Sequence, residues 1–187
     1  MRPEYDFSGA VRGKYYERYR SSSNIRKGIL VQKIATCLWF DGKAEQAMKF
    51  YTSIFKNSKV GAVSRYGEAG PGEKGSVMTA TFEIEGQEFM ALNGGPSFQF
   101  SPAISFVVRC KTQEEVDDYW AKLLEGGAPQ QCGWLTDKFG VSWQIVPTIL
   151  PELLQDKDAA KAKRVMQAML KMVKLDIKAL KQAAEQG

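Results

Sequence analysis

The chain contains no histidine and only three cysteines among its 187 residues. Because no imidazole is present, one chain cannot form a Ser-His-Asp or Cys-His catalytic site, nor a zinc site of the histidine-rich catalytic kind. Cys37, Cys110 and Cys132 are odd in number, widely spaced and free of any CxxC pattern. This spacing predicts neither a disulfide framework nor a structural zinc site.

Long apolar runs and nucleotide-binding motifs are also missing. No window approaches the roughly 18 apolar residues of a membrane-spanning helix, and the charged N-terminus lacks the apolar stretch of a signal peptide. The glycine-rich segment 67–76 lacks the order of a phosphate-binding loop, and no G-x-G-x-x-G motif follows the first predicted strand. We therefore expect a cytoplasmic protein with no membrane partner and no dinucleotide- or methyl-donor-binding fold.

What the sequence does contain is one pattern of elements stated twice. The first copy is a strand, an amphipathic helix with apolar residues at three-and-four spacing, and three further strands. In chain order these elements are predicted at residues 33–40, 44–55, 59–66, 77–84 and 87–92. Asp41 is the predicted N-cap of the helix. The segment Asn93–Pro96 predicts a break between the two halves.

The second copy begins with a strand at residues 103–110. Thr112, followed by Glu115 three residues later, is a capping box that opens a second amphipathic helix. Strands are predicted at 132–136 and 142–147, with a turn between them. The repetition predicts a duplicated α+β domain in about 115 residues, a size that suits one compact unit.

The basic charge is concentrated at the ends of the chain. Residues 1–30 carry seven Lys or Arg against three acidic residues, and residues 157–187 carry eight against three. We divide the chain into a basic N-terminal arm and linker over 1–30, the duplicated domain over 31–150, and a helical extension over 151–187.

The two ends carry separate predictions. We favour a solvated tail over nucleic-acid binding for the arm, expect it to be dispensable for the fold, and note that residues 1–20 are similar to a stretch of small bacterial antitoxin proteins. The extension has an apolar stripe of Val165, Met166, Met169, Met172 and Val173, and Asp176 is a candidate cap for a final helix. We expect the stripe to pack on the domain or a dimer partner, in preference to a promiscuous binding groove.

Four motifs in register over residues 33 to about 148 resemble the PhnB-like branch of the vicinal oxygen chelate superfamily, whose relatives include glyoxalase I, bleomycin-resistance proteins and extradiol dioxygenases. The motifs are Phe40–Glu45 running into Phe50–Tyr51, Ala91–Pro96, Ala103–Phe106, and Cys132–Leu135 with 137–140 and 142–144. Proteins of this branch are often labelled demethylubiquinone methyltransferases. The resemblance implies duplicated βαβββ modules that form an open barrel-like cleft, a glyoxalase-like fold, followed here by C-terminal helices.

The resemblance also implies where metal-using relatives place their ligands. Carried onto this chain, the four positions fall at Ile34, Met90, Ala103 and Gln144. Three of these side chains have no oxygen or nitrogen donor, and a lone amide is a weak ligand for a divalent ion. We therefore expect no metal and no cofactor.

Strand alternation predicts which side chains line the cleft. On the first strand we place Ile34, Thr36, Leu38 and Phe40 inward and Ala35, Cys37 and Trp39 towards the helix. On the strand from Ala103 we place Ala103, Ser105 and Val107 inward, with Ile104, Phe106 and Val108 towards the helix. The candidate ligand-cleft residues are Ile34, Thr36, Leu38, Met90, Ala103, Ser105, Trp134, Ser142 and Gln144; alternatively, these residues simply fill the barrel.

A cleft that is apolar with a few hydroxyls and one amide is typical of a small-molecule site. We predict metal-independent binding of a small organic ligand, by a homodimer, with no nucleic-acid partner. One alternative is an isomerase or lyase with Glu83 or Glu88 as its carboxylate base. Another is a protein or nucleic-acid adaptor that uses the basic arms.

Overall fold

The computed structural model describes residues 33–186. The first module has the predicted order of elements, with every strand and the helix within three residues of its expected bounds. The elements are β1 (Thr36–Phe40), α1 (Ala44–Ile54), β2 (Ser58–Arg65), β3 (Val77–Ile84) and β4 (Gln87–Asn93). The predicted basic arm lies outside the described residues.

The second module repeats this order. One of its strands has only two residues and is not predicted from the sequence pattern. Its elements are β5 (Ser105–Cys110), α2 (Gln113–Leu124), β6 (Ala128–Pro129), β7 (Trp134–Thr136) and β8 (Ser142–Pro147). Thr112 caps α2 as predicted, because its side chain accepts a hydrogen bond from the Glu115 N–H at 3.3 Å. Three helices follow, α3 (Ile149–Leu154), α4 (Ala159–Met169) and α5 (Ile177–Glu185).

The two modules form two four-stranded sheets with the same topology. The strand orders are β1-β4-β3-β2 and β5-β8-β7-β6, and in each sheet the first strand is parallel to the last while the other neighbours are antiparallel. Such a repeat is the duplicated βαβββ arrangement. The predicted α+β fold class is therefore confirmed.

Both long helices pack against one shared apolar core. Helix α1 packs on β3 and β4, and α2 packs on β7 and β8. Phe55, directly after α1, stacks on Tyr119 of α2 with ring centroids 5.2 Å apart, and Tyr51 of α1 lies 5.5 Å from the ring of Trp143 on β8. Each sheet thus has a core face turned to the helices and an outer face turned away from them.

Asp137 is a buried carboxylate at the centre of this core. Its Oδ2 accepts hydrogen bonds from the Tyr51 hydroxyl and the Trp143 indole N–H, both at 2.8 Å. Its Oδ1 accepts from the backbone N–H groups of Phe139 and Val141, at 2.8 and 3.0 Å. Burial raises the pKa of Asp137 above its ordinary value, although these four hydrogen bonds favour the ionised form.

The N-terminus of α1 is capped by a residue distant in sequence, and the predicted cap at Asp41 is wrong. The N-cap position is Lys43, whose side chain makes no capping hydrogen bond. Instead Asn93, at the end of β4, accepts from the Ala44 N–H through its Oδ1 at 2.9 Å and donates from Nδ2 to the Val77 carbonyl at 3.0 Å. Local spacing does not reveal a cap supplied 49 residues away.

A two-residue turn, Glu85–Gly86, joins β3 to β4. Both residues have positive φ, 49° at Glu85 and 79° at Gly86. Two positive φ angles define the type I′ hairpin turn, which favours Asn-Gly or Asp-Gly. The backbone of Glu85 therefore has a conformation that asparagine adopts more readily than glutamate.

The C-terminal helices form a second apolar cluster against the outer side of the second module. Val146 of β8 joins Leu150, Val165, Leu175 and Leu180 in this cluster. As predicted, the Asp176 side chain caps the last helix, accepting from the Ala179 N–H at 2.8 Å. Of the predicted stripe, Val165, Met169 and Met172 pack in this cluster, whereas Met166 and Val173 are each 40% exposed.

Backbone hydrogen bonds fix the extension to the loop that precedes β7. The N–H groups of Cys132 and Gly133 donate to the carbonyls of Met172 and Val173 at 2.8 and 2.7 Å. Gly133 has φ of 82°, and a Cβ there would lie 2.8 Å from the Ile145 carbonyl oxygen, so only glycine fits this approach. No helix in residues 33–186 is long and apolar enough to cross a membrane.

Candidate ligand-binding face

Four of the predicted cleft residues lie side by side on the outer face of the second sheet. Ser105 of β5 is paired in register with Ser142 of β8, and Gln144 of β8 is paired with Trp134 of β7. Directly paired residues point to the same face of a sheet. Val107, between Ser105 and the end of β5, shares this face and is 45% exposed.

The centre of this face is a hydrogen-bonded amide and hydroxyl. Gln144 Nε2 donates to the Ser105 Oγ at 2.9 Å. The bond fixes the amide, so its Oε1 is left as an acceptor for another molecule. Ser142 is on this face but only 2% exposed, so it offers little surface to a ligand.

On β5 the predicted faces of residues 105–108 agree with the structure, but Ile104, predicted to face the helix, precedes the strand and is 77% exposed. Phe106 lies 5.2 Å from the ring of Trp143, and it packs with Val108 against the buried core. Ser105 and Val107 are therefore on the outer face, as alternation requires.

For β1 the predicted alternation is wrong. Leu38 is 6% exposed and, with Phe40, belongs to the core. Leu38 is paired with Ala91, and Ala91 is paired with Ala80, so all three share one face of the first sheet. Phe82 is on this face too, and its ring lies 6.0 Å from the ring of Tyr51 on α1. Leu38 thus points to the helix and not to a cleft.

The opposite face of β1 carries Cys37 and Trp39. Cys37 is paired with Met90, and both are on the outer face of the first sheet, where Met90 is 36% exposed. The Trp39 indole donates to the Gly95 carbonyl at 2.8 Å and packs edge-on against Phe98, with centroids 5.0 Å apart.

The remaining predicted residues are placed elsewhere. Thr36 is on the same side of β1 as Leu38, at the strand's start, and its hydroxyl accepts from Gln87 Nε2 at 3.4 Å. Ile34 and Ala103 precede their strands and are exposed. The structure therefore brings together Ser105, Trp134, Ser142 and Gln144, and separates the others from them.

The positions that the family resemblance implies for metal ligands do not fit a divalent cation. Ile34, Met90 and Ala103 have no donor atom for such an ion, and the Gln144 amide is held by Ser105. Within residues 33–186 no group of three or more Cys, Asp or Glu side chains is arranged to hold a metal.

Glu83 and Cys110 are poorly suited to act as a catalytic base or nucleophile. Glu83, one candidate base, is on the outer face of the first sheet, where its Oε1 is 2.8 Å from Lys59 Nζ. Burial raises the pKa of the Cys110 thiol to about 12, so it is protonated at neutral pH and is a poor nucleophile.

The structure also contains a pocket that the sequence does not predict. A cavity of about 550 Å³ lies where the two modules meet, and we call it the junction pocket. Its lining comes from the segment that follows α1, the β3–β4 hairpin, β5, α2 and β8, which are far apart in the chain. The signal in the sequence is the density of aromatic residues on the core faces, but pattern alone does not show which of them meet.

The fold defines the class of protein: paired βαβββ modules of this topology are the architecture of the vicinal oxygen chelate superfamily, as the sequence motifs indicated. Residues 32–146 match the family described as 3-demethylubiquinone-9 3-methyltransferase. The chain belongs to this family, the PhnB-like branch of the superfamily.

Solved structures agree with this assignment. The PhnB protein of Bacillus cereus, which bears the same 3-demethylubiquinone-9 3-methyltransferase name, is 46% identical, with a TM-score of 0.58, over 63% of this chain and 100% of its own. A protein of Pseudomonas aeruginosa (21% identity, TM-score 0.52, covering 62% and 97%) shares the fold. So does the fosfomycin resistance protein FosX of Listeria monocytogenes (17%, 0.50, covering 68% and 100%). Curated proteins gave no match.

Proposed function

We propose that this protein binds a small organic ligand, without a metal, on the outer face of its second sheet, in a cleft that a second copy of the chain completes. The observation that carries the proposal is the Gln144–Ser105 hydrogen bond, 2.9 Å long, on a face that also exposes Val107. A fixed polar pair surrounded by apolar surface is how small-molecule sites orient their ligands.

The need for a second copy follows from the shape of the single chain. A ligand site is concave, whereas the outer face is one side of an open sheet. Large apolar side chains beside the edge strands β1 and β5 are exposed, with Ile34 at 88% before β1 and Ile104 at 77% before β5. Exposed apolar surface next to open sheet edges favours association, and a two-fold partner would cover both.

A screen for ligands, combined with two variants, tests the site. We expect some members of a library of small organic molecules to bind, as detected by ligand-observed NMR, and Gln144→Leu to weaken them by about tenfold because one orienting hydrogen bond is lost. Gln167→Leu, on the exposed side of α4, is the matched control. Hits that bind Gln144→Leu unchanged would place the ligand elsewhere.

Assembly is tested separately. Sedimentation or light scattering at micromolar concentration should give twice the 20.9 kDa of one chain. A monomer that still binds the ligand through Gln144 would remove the second copy from the proposal while leaving the site in place.

The methyltransferase name of the family is not the basis of this proposal. Methyl transfer needs a bound methyl donor, and the turn from β1 into α1 lacks the glycine-rich motif of nucleotide cofactor folds. The enzyme alternative would need a free carboxylate base in the cleft, but Glu83 is paired with Lys59. Neither observation favours a second candidate function.

A further inference from the structure

The junction pocket has a continuous aromatic floor. Along it, Tyr119 stacks on Phe55 (5.2 Å between centroids), Phe55 on Trp143 (5.7 Å), Trp143 meets Phe106 (5.2 Å), and Phe106 meets Phe89 (5.3 Å). All five line the pocket. Its volume, about 550 Å³, lies within the range of small-molecule sites. Phe55, Phe89 and Trp143 are at most 5% exposed, whereas Phe106 and Tyr119 are partly exposed. A planar ring in the pocket would therefore contact mainly Phe106 and Tyr119.

The rim of the pocket is charged and has an excess of cations. Lys56, Arg109 and Lys111 line it together with Glu85 and Glu115. None of the three cations forms a salt bridge to any residue in the part of the chain that the structure describes. The Glu115 carboxylate, by contrast, accepts the Lys111 N–H at 2.6 Å as part of the α2 cap.

A neutral hydroxyl is available at the same place. The Tyr119 hydroxyl makes no hydrogen bond within residues 33–186, and burial raises the pKa of Tyr119 above its ordinary value. The group therefore keeps its proton at neutral pH and can donate it to an acceptor. A ligand that brought an anionic oxygen to this rim would meet both a donor and unpaired positive charge.

We propose that the junction pocket binds an aromatic carboxylate, with its rings against the partly exposed rings of Phe106 and Tyr119 and its carboxylate at Arg109 and Lys111. A guanidinium presents paired N–H donors that match a carboxylate. This site goes beyond the proposed function. It lies where the two modules meet, beside the edge strand β5, and is formed within one chain. Val107 borders both sites, but Ser105 and Gln144 do not line this pocket.

The simplest probe is 2-naphthoate, titrated into the full chain at low salt and followed by intrinsic Trp fluorescence and NMR. We expect a Kd of about 1 mM or tighter, with intermolecular NOEs to the Tyr119 ring. Binding should weaken as salt is added, because the rim is exposed to solvent. Neutral 2-naphthamide should bind about tenfold more weakly, and 2-naphthylmethylammonium more weakly still.

Two variants separate charge from fold. Arg109→Gln combined with Lys111→Gln should weaken 2-naphthoate about tenfold and leave 2-naphthamide unchanged. Lys163→Gln, an exposed cation on α4, should change neither. Circular dichroism of the double variant confirms that it is folded.

Three results would overturn the proposal. The first is no 2-naphthoate binding at millimolar concentration, and the second is equal affinity for the aromatic ammonium. The third is 2-naphthoate binding that the double variant leaves intact. Because Gln144→Leu does not touch this pocket, it should leave 2-naphthoate binding unchanged, so the two sites can fail independently.

Discussion

The hydroxyl of Tyr51 donates a 2.8 Å hydrogen bond to Asp137, and the two residues belong to different modules. Tyr51 is on α1, while Asp137 opens the turn between β7 and β8. Trp143 donates to the same carboxylate oxygen. The duplicated halves are thus joined by directional bonds as well as by apolar packing, which fixes how α1 lies on the second sheet.

Removing one hydroxyl tests this link. Tyr51→Phe should lower the free energy of unfolding by about 1–3 kcal/mol, because a buried carboxylate loses one of its four donors. Tyr119→Phe is the matched control, since its hydroxyl has no partner among the described residues, and should cost under about 0.5 kcal/mol. Urea unfolding measures both, and equal losses would mean that the Asp137 contact contributes nothing specific.

The pH dependence of stability should reveal the charge state of Asp137. Its pKa is raised in the folded protein, so between the ordinary value of about 3.9 and the raised value the native state holds more protons than the unfolded state. Wild-type stability should therefore fall, relative to Asp137→Asn, as pH rises through that window. Urea midpoints of both proteins at several pH values from about 3.5 to 7 give the difference in stability. If wild-type stability rose relative to the variant across this window, the effect of the hydrogen bonds on the pKa of Asp137 would exceed that of burial.

Asn93 should matter more than the residue that local sequence indicates. Asn93→Ala removes the cap of α1 and the bond to Val77, which should cost about 1–2 kcal/mol. Asp41→Ala, at the predicted cap, should cost less than about 0.5 kcal/mol. Thermal unfolding of the two variants compares them, and a larger loss for Asp41→Ala would contradict the observed capping.

The β3–β4 turn offers a stabilising substitution. Glu85→Asn should raise the free energy of unfolding by about 0.5–1 kcal/mol, because asparagine tolerates the φ of 49° better than glutamate. Glu85→Val should be destabilising, since a β-branched side chain is strained at positive φ. If asparagine and valine gave the same stability, the turn would not have the described conformation in solution.

The purified protein should contain no stoichiometric transition metal. The family-implied ligand positions supply only the Gln144 amide, which cannot hold Zn, Mn, Ni or Fe by itself. Elemental analysis after dialysis is the measurement, with Gln144→Leu as the comparison. About one equivalent of metal per chain that disappears in this variant would show that the ligand positions are wrongly aligned.

Strand alternation predicts the faces of residues 105–108 on β5 correctly and those of residues 37–40 on β1 incorrectly, for a physical reason. On β5 one side carries Phe106 and Val108 while the other carries Ser105, so polarity distinguishes the faces. On β1 both sides are apolar, because Trp39 on one face is as hydrophobic as Leu38 and Phe40 on the other. When both faces of a strand are apolar, the two-residue alternation does not indicate which face is buried in the core.

Local signals gave the element bounds but not the long-range contacts. The caps at Thr112 and Asp176 are adjacent to their helices and were predictable. The cap at Asn93 and the junction pocket depend on residues that only the sheet topology brings together. The two-residue strand β6 is too short to leave a recognisable pattern.

The capping of α1 by Asn93 also sets an order of events during synthesis. An eleven-residue helix without a cap is marginal in water, and here the cap is translated 49 residues after the first turn it satisfies. Helix α1 therefore gains its full stability only when β4 has emerged and paired beside β1. The first module should consequently fold as one late event on the ribosome, with no persistent helical intermediate before residue 93.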